Sequence, residues 1–488
     1  MEKAALSVVE KIKKYADIQP NSIALVVNDE EITYRQLFQR ISSAASILSS
    51  YGVKKGSHVL SMATPNAEYI ISMYAILGLG AVHIPAENNC PAMRLEEIAK
   101  TTDAEFILSP QDPECGTSWI SQSYNDDIVQ NDAWNPVGIS KECSEIIFTT
   151  GTTGKSKGVM LSSHCLDTYI CAMSPSFQLD ENSVFLVSTP LNHVGGLHRI
   201  HQCMAAGSTV VLMDGIKILK NFFSAINTYG VTHTYLPPAS VKILISLAKK
   251  DLAKLNGKLK FIYTASAPFP PADIEKLMSL LPDTHLHQGY GSSETGSICN
   301  CWYNAPGETI NSLGIPYPCV TVKLLDDEGK EIKIPNEEGR ICSKSEMNML
   351  GYYNEPELTE KVLRDGYIYS SDLMFFDEHG GLHFAGRSDD VINVNGFKVA
   401  PTEVENIALK YDGVIDCICI PYNDRVQGKT LKLLIKAANN VDPHGLVEFL
   451  SSQLEPYKVP KSVEFVDEVS RTPNGKLNRK QMIENWSA

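Results

Sequence analysis

The sequence predicts an α/β protein: a large N-terminal domain of doubly wound α/β layers with a β-rich subdomain, and a small α+β domain at the C-terminus. Two observations predict it. Short apolar runs alternate with stretches of helical periodicity over most of the length, which builds strand–helix layers. Near residue 314 the texture changes to short strands and turn signals. In chain order, MEKAALSVVEKIKKYAD has apolar residues at helical spacing and lacks the long apolar core of a signal peptide. HVLSMA, AVHIPA, FILSP, EIIFTT, VFLVST and TVVLMD read as strands. NAEYIISMYAILGLG and VKILISLAKKDLAKL carry helical periodicity, and ADIEKLMSLLP reads as a helix stopped by its proline. GIPYPCVTVKLLDDEGKEIK and EEGRICSKSEMNMLGYY make the β-rich section. After GRSDD come helix TEVENIALKY, strands VIDCICIP and TLKLLIKAA, and helix PHGLVEFLSSQL. The expected division is 1–388 and 389–488.

The chain has 488 residues, with 43 basic against 57 acidic side chains and a net charge of −14. That balance argues against a nucleic-acid surface, so any anionic ligand must be held by local groups. Its twelve cysteines form no CxxC pair. Cys299/Cys301 and Cys417/Cys419 have the spacing that puts both thiols on one face of a strand. Free, buried thiols in a reducing compartment fit this better than a disulfide frame or a zinc site. No apolar run reaches the length that spans a bilayer. The expectation is a soluble cytoplasmic protein.

Residues 148–160, FTTGTTGKSKGVM, stand out against the acidic background. EIIFTT reads as a buried strand and GTTGKSKG as a tight loop after it. Gly151, Gly154 and Gly158 let the backbone turn and approach a ligand closely. Hydroxyls of Thr149, Thr150, Thr152, Thr153 and Ser156 can donate to phosphate oxygens, and Lys155 and Lys157 supply charge. Together they make a polyphosphate cradle. A Walker A loop needs a glycine where Thr149 stands, so that register fails. A flexible surface turn is the plainer alternative, but a turn seldom needs so many hydroxyls with two lysines behind a buried strand.

TTGTTGKSKGV resembles the phosphate-binding loop of the adenylate-forming superfamily: acyl- and aryl-CoA synthetases, luciferases and peptide-synthetase adenylation domains. Members usually have serine at the position of Thr150 and proline at that of Ser156. Further motifs follow in order from about residue 25 to 480, nearly the whole chain. PLNHVGGL (190–197) is similar to the second signature, where His193 matches a group that closes over the acyl pocket. A lone histidine is otherwise usually a core residue. TASAP (264–268) is similar to the wall of the adenine and acyl sites, with Ser266 and Ala267. GYGSSET (289–295) resembles the segment Gly289, Tyr290, Gly291, Ser292, Ser293 in which tyrosine stacks near adenine and a hydroxyl, here Ser293, binds the α-phosphate. Its Glu294 matches the magnesium-binding glutamate, and Thr150 is implied beside the same metal. In YSSDL (369–373), Ser370-Ser371-Asp372 stands for the usual Thr-Gly-Asp, and Asp372 matches the residue that grips the ribose hydroxyls. In GRSDDVINVNGFKVAPTEVE (386–405), Arg387 matches the arginine that reaches ribose and phosphate. Asp389 there matches the hinge, and Gly396 the passage of the pantetheine arm. In RTPNGKLNRK (471–480), Lys476 matches the lysine that reaches into the first active site. The acyl pocket implied by the resemblance draws on His193, Gly196, Arg199, Tyr235 and Ser266.

The resemblance implies a two-step ligase that uses ATP, magnesium and coenzyme A, or the phosphopantetheine of an acyl carrier protein. A small-molecule carboxylic acid attacks the α-phosphate, pyrophosphate leaves, and a thiol then takes the acyl group from the adenylate. The implied catalytic set is Lys476, His193 and Glu294. The absence of an aspartate near Asn192-His193 argues against an α-amino acid. HRIHQCMAAG follows the second motif where relatives are mostly apolar. Either Arg199 lies on a solvated helix face with His198 and His201 bonded locally, or one of them recognises a second carboxylate or a polar ring group. A non-catalytic nucleotide-binding relative would show its first signs at Ser156 and Ser371, yet Glu294, Asp372, Arg387 and Lys476 are all present. A luciferase-like oxygenase also acts through an adenylate and keeps the same motifs.

Overall fold

The computed structural model describes residues 5–114, 116–122, 134–150, 156–267, 269–305, 310, 312–394, 397–424, 428–438, 441–472 and 477–486. Two large sheets make the first part. In the eight-stranded sheet, Thr209–Leu212, Val184–Val187, His233–Tyr235, Phe261–Thr264 and His285–Ser292 run parallel, and Gly296–Trp302 turns back as the antiparallel edge. In the seven-stranded sheet, Val82–Ala86 lies between His58–Met62 and Cys143–Thr150, all parallel. These strands are near-continuous apolar runs because helices cover them. The largest core cluster joins residues of both sheets to the helices Val8–Ile18, Tyr34–Ser50, Ala67–Gly78, Ser163–Phe177 and Val194–Ala206.

Local signals set the helix starts. Ser7 and Glu10 form a capping box before Val8–Ile18, Thr33 and Gln36 form another before Tyr34–Ser50, and Asn66 caps Ala67–Gly78. The stretch 241–255 departs from expectation. It forms two helices, Pro238–Leu247 and Lys249–Ala253, parted by Ala248 at φ −135°, ψ 28°. Leu244, Leu252 and Leu255 are all buried, so the apolar spacing runs straight through the break and hides it. The expected loop GTTGKSKG is also shorter than its sequence suggests. Ser156–Ser162 is a strand paired antiparallel with Cys143–Thr150, with Thr149 opposite Lys157 and Phe148 opposite Gly158. Residues 151–155, between these two strands in sequence, lie outside the described residues.

The β-rich section is a six-stranded sheet in which Tyr367–Phe376 pairs antiparallel with both Gly339–Lys344 and Leu382–Arg387. The small C-terminal part has its own three-stranded sheet of Val414–Asp424, Gly428–Ala437 and Ser462–Phe465, packed by Pro401–Ala408 and Pro443–Gln453. Its apolar clusters draw only on residues from 392 onward, and those of the larger part only on residues up to 384. Cys417 and Cys419 are both buried, free, and on its edge strand Val414–Asp424. The buried ion pair Arg479 Nη1–Glu405 Oε1, at 2.6 Å, ties its last helix to its first. Asp416 meets Arg471 Nη2 at 2.7 Å and, across to the large part, Lys242 Nζ at 3.8 Å. Among the described residues no helix is long and apolar enough to cross a membrane.

Candidate active site

A cleft of about 660 Å³, open solvent included, lies at the carboxyl ends of the parallel strands, where ligands of such sheets bind. Its walls include Tyr169, Arg199, Tyr235, Tyr263, Ser266 and the segment Gly289–Ser293. Glycines let the chain pass here. A β-carbon at Gly289 would run into the Tyr263 hydroxyl, and one at Gly291 into the Gly296 carbonyl. Ser266 adopts φ +76°, a region L-residues seldom enter, and its Oγ is 2.7 Å from the Tyr235 hydroxyl. Ala267 receives a 3.4 Å contact from Gln288 Nε2 on its carbonyl and does not line the cleft.

Tyr290 leads to the third sheet. Its hydroxyl donates to Asp372 Oδ2 at 2.7 Å, and burial together with that carboxylate pushes its pKa well up. Asp372 and Arg387 are register partners on neighbouring strands, with Nη1 3.1 Å from Oδ1. Arg387 also donates to Ser371 Oγ at 2.5 Å and faces Asp389 at 3.5 Å. Ser371 thus bonds the arginine, while Asp372 N donates to Ser370 Oγ at 3.1 Å. Residues 82 apart in sequence, Tyr290 and Asp372, are therefore joined with Arg387 in one polar chain.

Glu294 sits on the turn after His285–Ser292, which Ser292 and Thr295 tie off: Ser292 N donates to Thr295 Oγ1 at 3.0 Å and Glu294 N to Ser292 Oγ at 3.2 Å. The Tyr352 hydroxyl donates to Glu294 Oε1 at 2.9 Å, and Lys157 Nζ stands 5.4 Å from the Tyr352 ring centre. The flank of the hydroxyl-rich hairpin and the acidic turn thus meet on one tyrosine. Among the described residues no cluster of His, Cys, Asp and Glu forms a ready metal cage.

His193 precedes the helix Val194–Ala206 as its half-buried N-terminal cap residue and is not part of the cleft wall. Gly196 is not either. A β-carbon there would lie 2.5 Å from the Pro190 carbonyl oxygen, so this glycine serves the approach of helix to backbone, and Gly195 beside Tyr235 lines the cleft. The solvated-face reading of the next turn is overturned: His198, Arg199 and His201 are all buried. The helix faces the interior all round in this turn because helices and sheets pack it on both sides.

The buried histidines converge on Glu145, itself fully buried. Its Oε1 lies 3.5 Å from His83 Nδ1 and 3.4 Å from His201 Nε2, and its Oε2 lies 3.8 Å from His198 Nε2. Tyr74 OH is 3.1 Å from His201 Nδ1, and Ser61 Oγ 3.0 Å from His83 Nε2. Burial pushes the Glu145 carboxyl up, but His201 and His83 outweigh it and hold it well below the carboxylate range. Burial takes His198 down to about 4. Arg199 turns the other way, into the cleft wall. Its guanidinium carbon lies 5.0 Å from the Tyr263 ring centre, 5.1 Å from that of Phe177 and 5.4 Å from that of Tyr169. Nη2 is 3.8 Å from Met173 Sδ, and among the described residues Nε and Nη1 have no hydrogen-bond partner.

Among the expected residues, the structure brings together Ser266, Tyr235, Arg199, Gly289–Ser293, Glu294, Asp372, Arg387 and Lys157. Gly151, Thr152, Thr153, Gly154, Lys155, Gly396, Lys476 and the side chain of Thr150 lie outside the described residues. Sequence reading passed over Tyr352, Tyr263, Tyr169 and Glu145. An acid inside the apolar run EIIFTT was a usable signal for Glu145. The tyrosines gave none, because long-range packing puts them in place.

The chain belongs to the AMP-binding enzyme family, the adenylate-forming enzymes, whose main domain matches residues 12–353 and whose C-terminal domain matches 403–476. A fatty acid–[acyl-carrier-protein] ligase, ScoC of Streptomyces coeruleorubidus, is 26% identical over 98% of this chain and 96% of its own. A 2-succinylbenzoate–CoA ligase of Bacillus licheniformis is 27% identical over 96% of this chain and 98% of its own. The ATP-bound crystal structure of MatB from Rhodopseudomonas palustris superposes with a TM-score of 0.89 at 21% identity, covering 98% of this chain and 99% of its own.

Proposed function

We propose that this chain is an AMP-forming acid–thiol ligase that activates a carboxylic acid as its adenylate and passes the acyl group to coenzyme A. The observation that carries the reading is the chain Tyr290–Asp372–Arg387 opening onto the same cleft as the Glu294 turn. A free carboxylate resists attack because charge and resonance oppose it, and exchanging an oxygen for AMP removes both obstacles. The acid's oxygen attacks the α-phosphorus and the bond to pyrophosphate breaks. The demand is electrostatic, met by placed donors and cations and by no protein nucleophile.

In this reading Asp372 accepts the ribose hydroxyls, Arg387 reaches ribose and phosphate, and Tyr290 lies against adenine. Ser293 donates to the α-phosphate, and Thr149–Lys157 cradles the outer phosphates. Glu294, with one oxygen already fixed by Tyr352, would hold a magnesium ion, whose charge would offset that of the phosphates. Lys476 supplies positive charge in the first step. The domains divide at 388/389, and the small one turns about Asp389 to admit the thiol, whose sulfur bonds the acyl carbon as AMP leaves. The free, buried cysteines favour the reducing cytoplasm. Relatives load both coenzyme A and carrier proteins, so a phosphopantetheinylated carrier is the second acceptor to try.

The test is acid-dependent exchange of labelled pyrophosphate into ATP, with Lys476→Ala as control. Exchange with one class of acid, lost in the variant, followed by thioester on adding coenzyme A, is the expected result. Exchange that persists in the variant, or that needs no acid, overturns the reading.

A further inference from the structure

Arg199 is 2% exposed, yet among the described residues no carboxylate pairs with it. A buried cation without an anion is costly, and cation–π faces offset only part of that. The elements around it supply rings and a thioether: Tyr169, Met173 and Phe177 from one helix, Tyr263 from a strand. Glu145, the buried acid of this region, is taken up by histidines. Nε and Nη1 therefore keep unused donors in a residue that forms part of the cleft wall. The same cleft is lined by Tyr290, Ser292 and Ser293, the segment assigned to the nucleotide. A ligand filling it can present one anion to the nucleotide and a second to the guanidinium.

We infer that the acid activated here is a dicarboxylic acid, with one carboxylate taken to the adenylate and the other paired with Arg199 in its aromatic cage. The inference rests on the acid–thiol ligase reading and narrows its substrate. Arg199 is the specificity residue: it would favour a diacid over the same acid with its second carboxylate masked, because only the free carboxylate fills the donors on Nε and Nη1.

The test compares α,ω-dicarboxylic acids from malonate to suberate, and the benzenedicarboxylic acids, each beside its monomethyl ester, in pyrophosphate exchange on the unaltered protein. At least one diacid is expected to exceed its ester in kcat/KM by about tenfold or more, the scale of a hydrogen bond to a charged group. In Arg199→Met that ratio falls toward unity through the KM for the diacid, with the KM for ATP unchanged. Arg199→Lys keeps part of the preference. Esters or simple monocarboxylates that match every diacid overturn the inference and leave adenylation standing. So does a ratio that survives Arg199→Met. If Arg199→Met does not fold, the diacid–ester comparison on the unaltered protein decides. Absence of exchange with every acid, diacids included, overturns adenylation and the inference together.

Discussion

Asp372 answers two partners at once, the Tyr290 hydroxyl at 2.7 Å and the Arg387 guanidinium at 3.1 Å. Asp372→Ala removes an acceptor and leaves Arg387 with only its longer contact to Asp389, at 3.5 Å. The KM for ATP is expected to rise at least about tenfold, with that for the acid much less affected, as hydrogen bonds to charged groups are worth about 1.5–3 kcal/mol. Steady-state exchange kinetics check this. Glu145 stands differently, since it does not line the cleft itself and holds His83, His201 and, more distantly, the cleft-lining His198. Glu145→Gln takes the charge from between His83 and His201 and is expected to lower stability by roughly 3 kcal/mol, read by denaturant unfolding. Single residues show where a sequence speaks and where it does not. Asp372, Arg387 and Glu294 were legible because each sits in a short motif. Tyr352 was not, since its place against Glu294 depends on an antiparallel strand pair with Ser156–Ser162. The fate of Arg199 was open for the same reason: the burial of a helical turn is decided by what packs on it.

The hydroxyl-rich segment shows the element at work. Its described flanks are paired strands, with Thr149 opposite Lys157. A β-carbon at Gly158 would lie 2.9 Å from Ile146 Cγ2. Gly158→Val is therefore expected to cost about 1–3 kcal/mol through overpacking and to raise the KM for ATP by shifting the loop, checked by melting and exchange assays. Strand and helix positions were largely readable from apolar periodicity, as with His58–Met62, Val184–Val187 and Pro443–Gln453. The break at Ala248 was not, because a pattern of buried leucines is the same for one helix or two in line.

Across the whole molecule, burial holds His198, His233 and His287 down to about 4 from the ordinary 6.5. Below 6.5 the unfolded chain takes up protons that the folded one refuses, so stability is full above that value and is lost as pH falls toward 4. Glu145, held low when folded, adds a loss of the same sign in still more acid solution. Melting followed from neutrality into acid tests this, and His233→Gln is expected to flatten the slope. The proposed division at 388/389 yields a kinetic expectation. Asp389→Pro, which fixes φ at the pivot, should slow thioester formation severalfold and spare pyrophosphate exchange. Asp416, shared between Lys242 of the large part and Arg471 of the small one, gives the docked arrangement a electrolyte sensitivity. The two pairs are half-buried, so screening, whose length is about 10 Å in 0.1 M salt, weakens them only in part. If the small part turns as proposed, its dwell time in this pose should shorten modestly as salt is added, and Asp416→Asn should make turnover less sensitive to ionic strength.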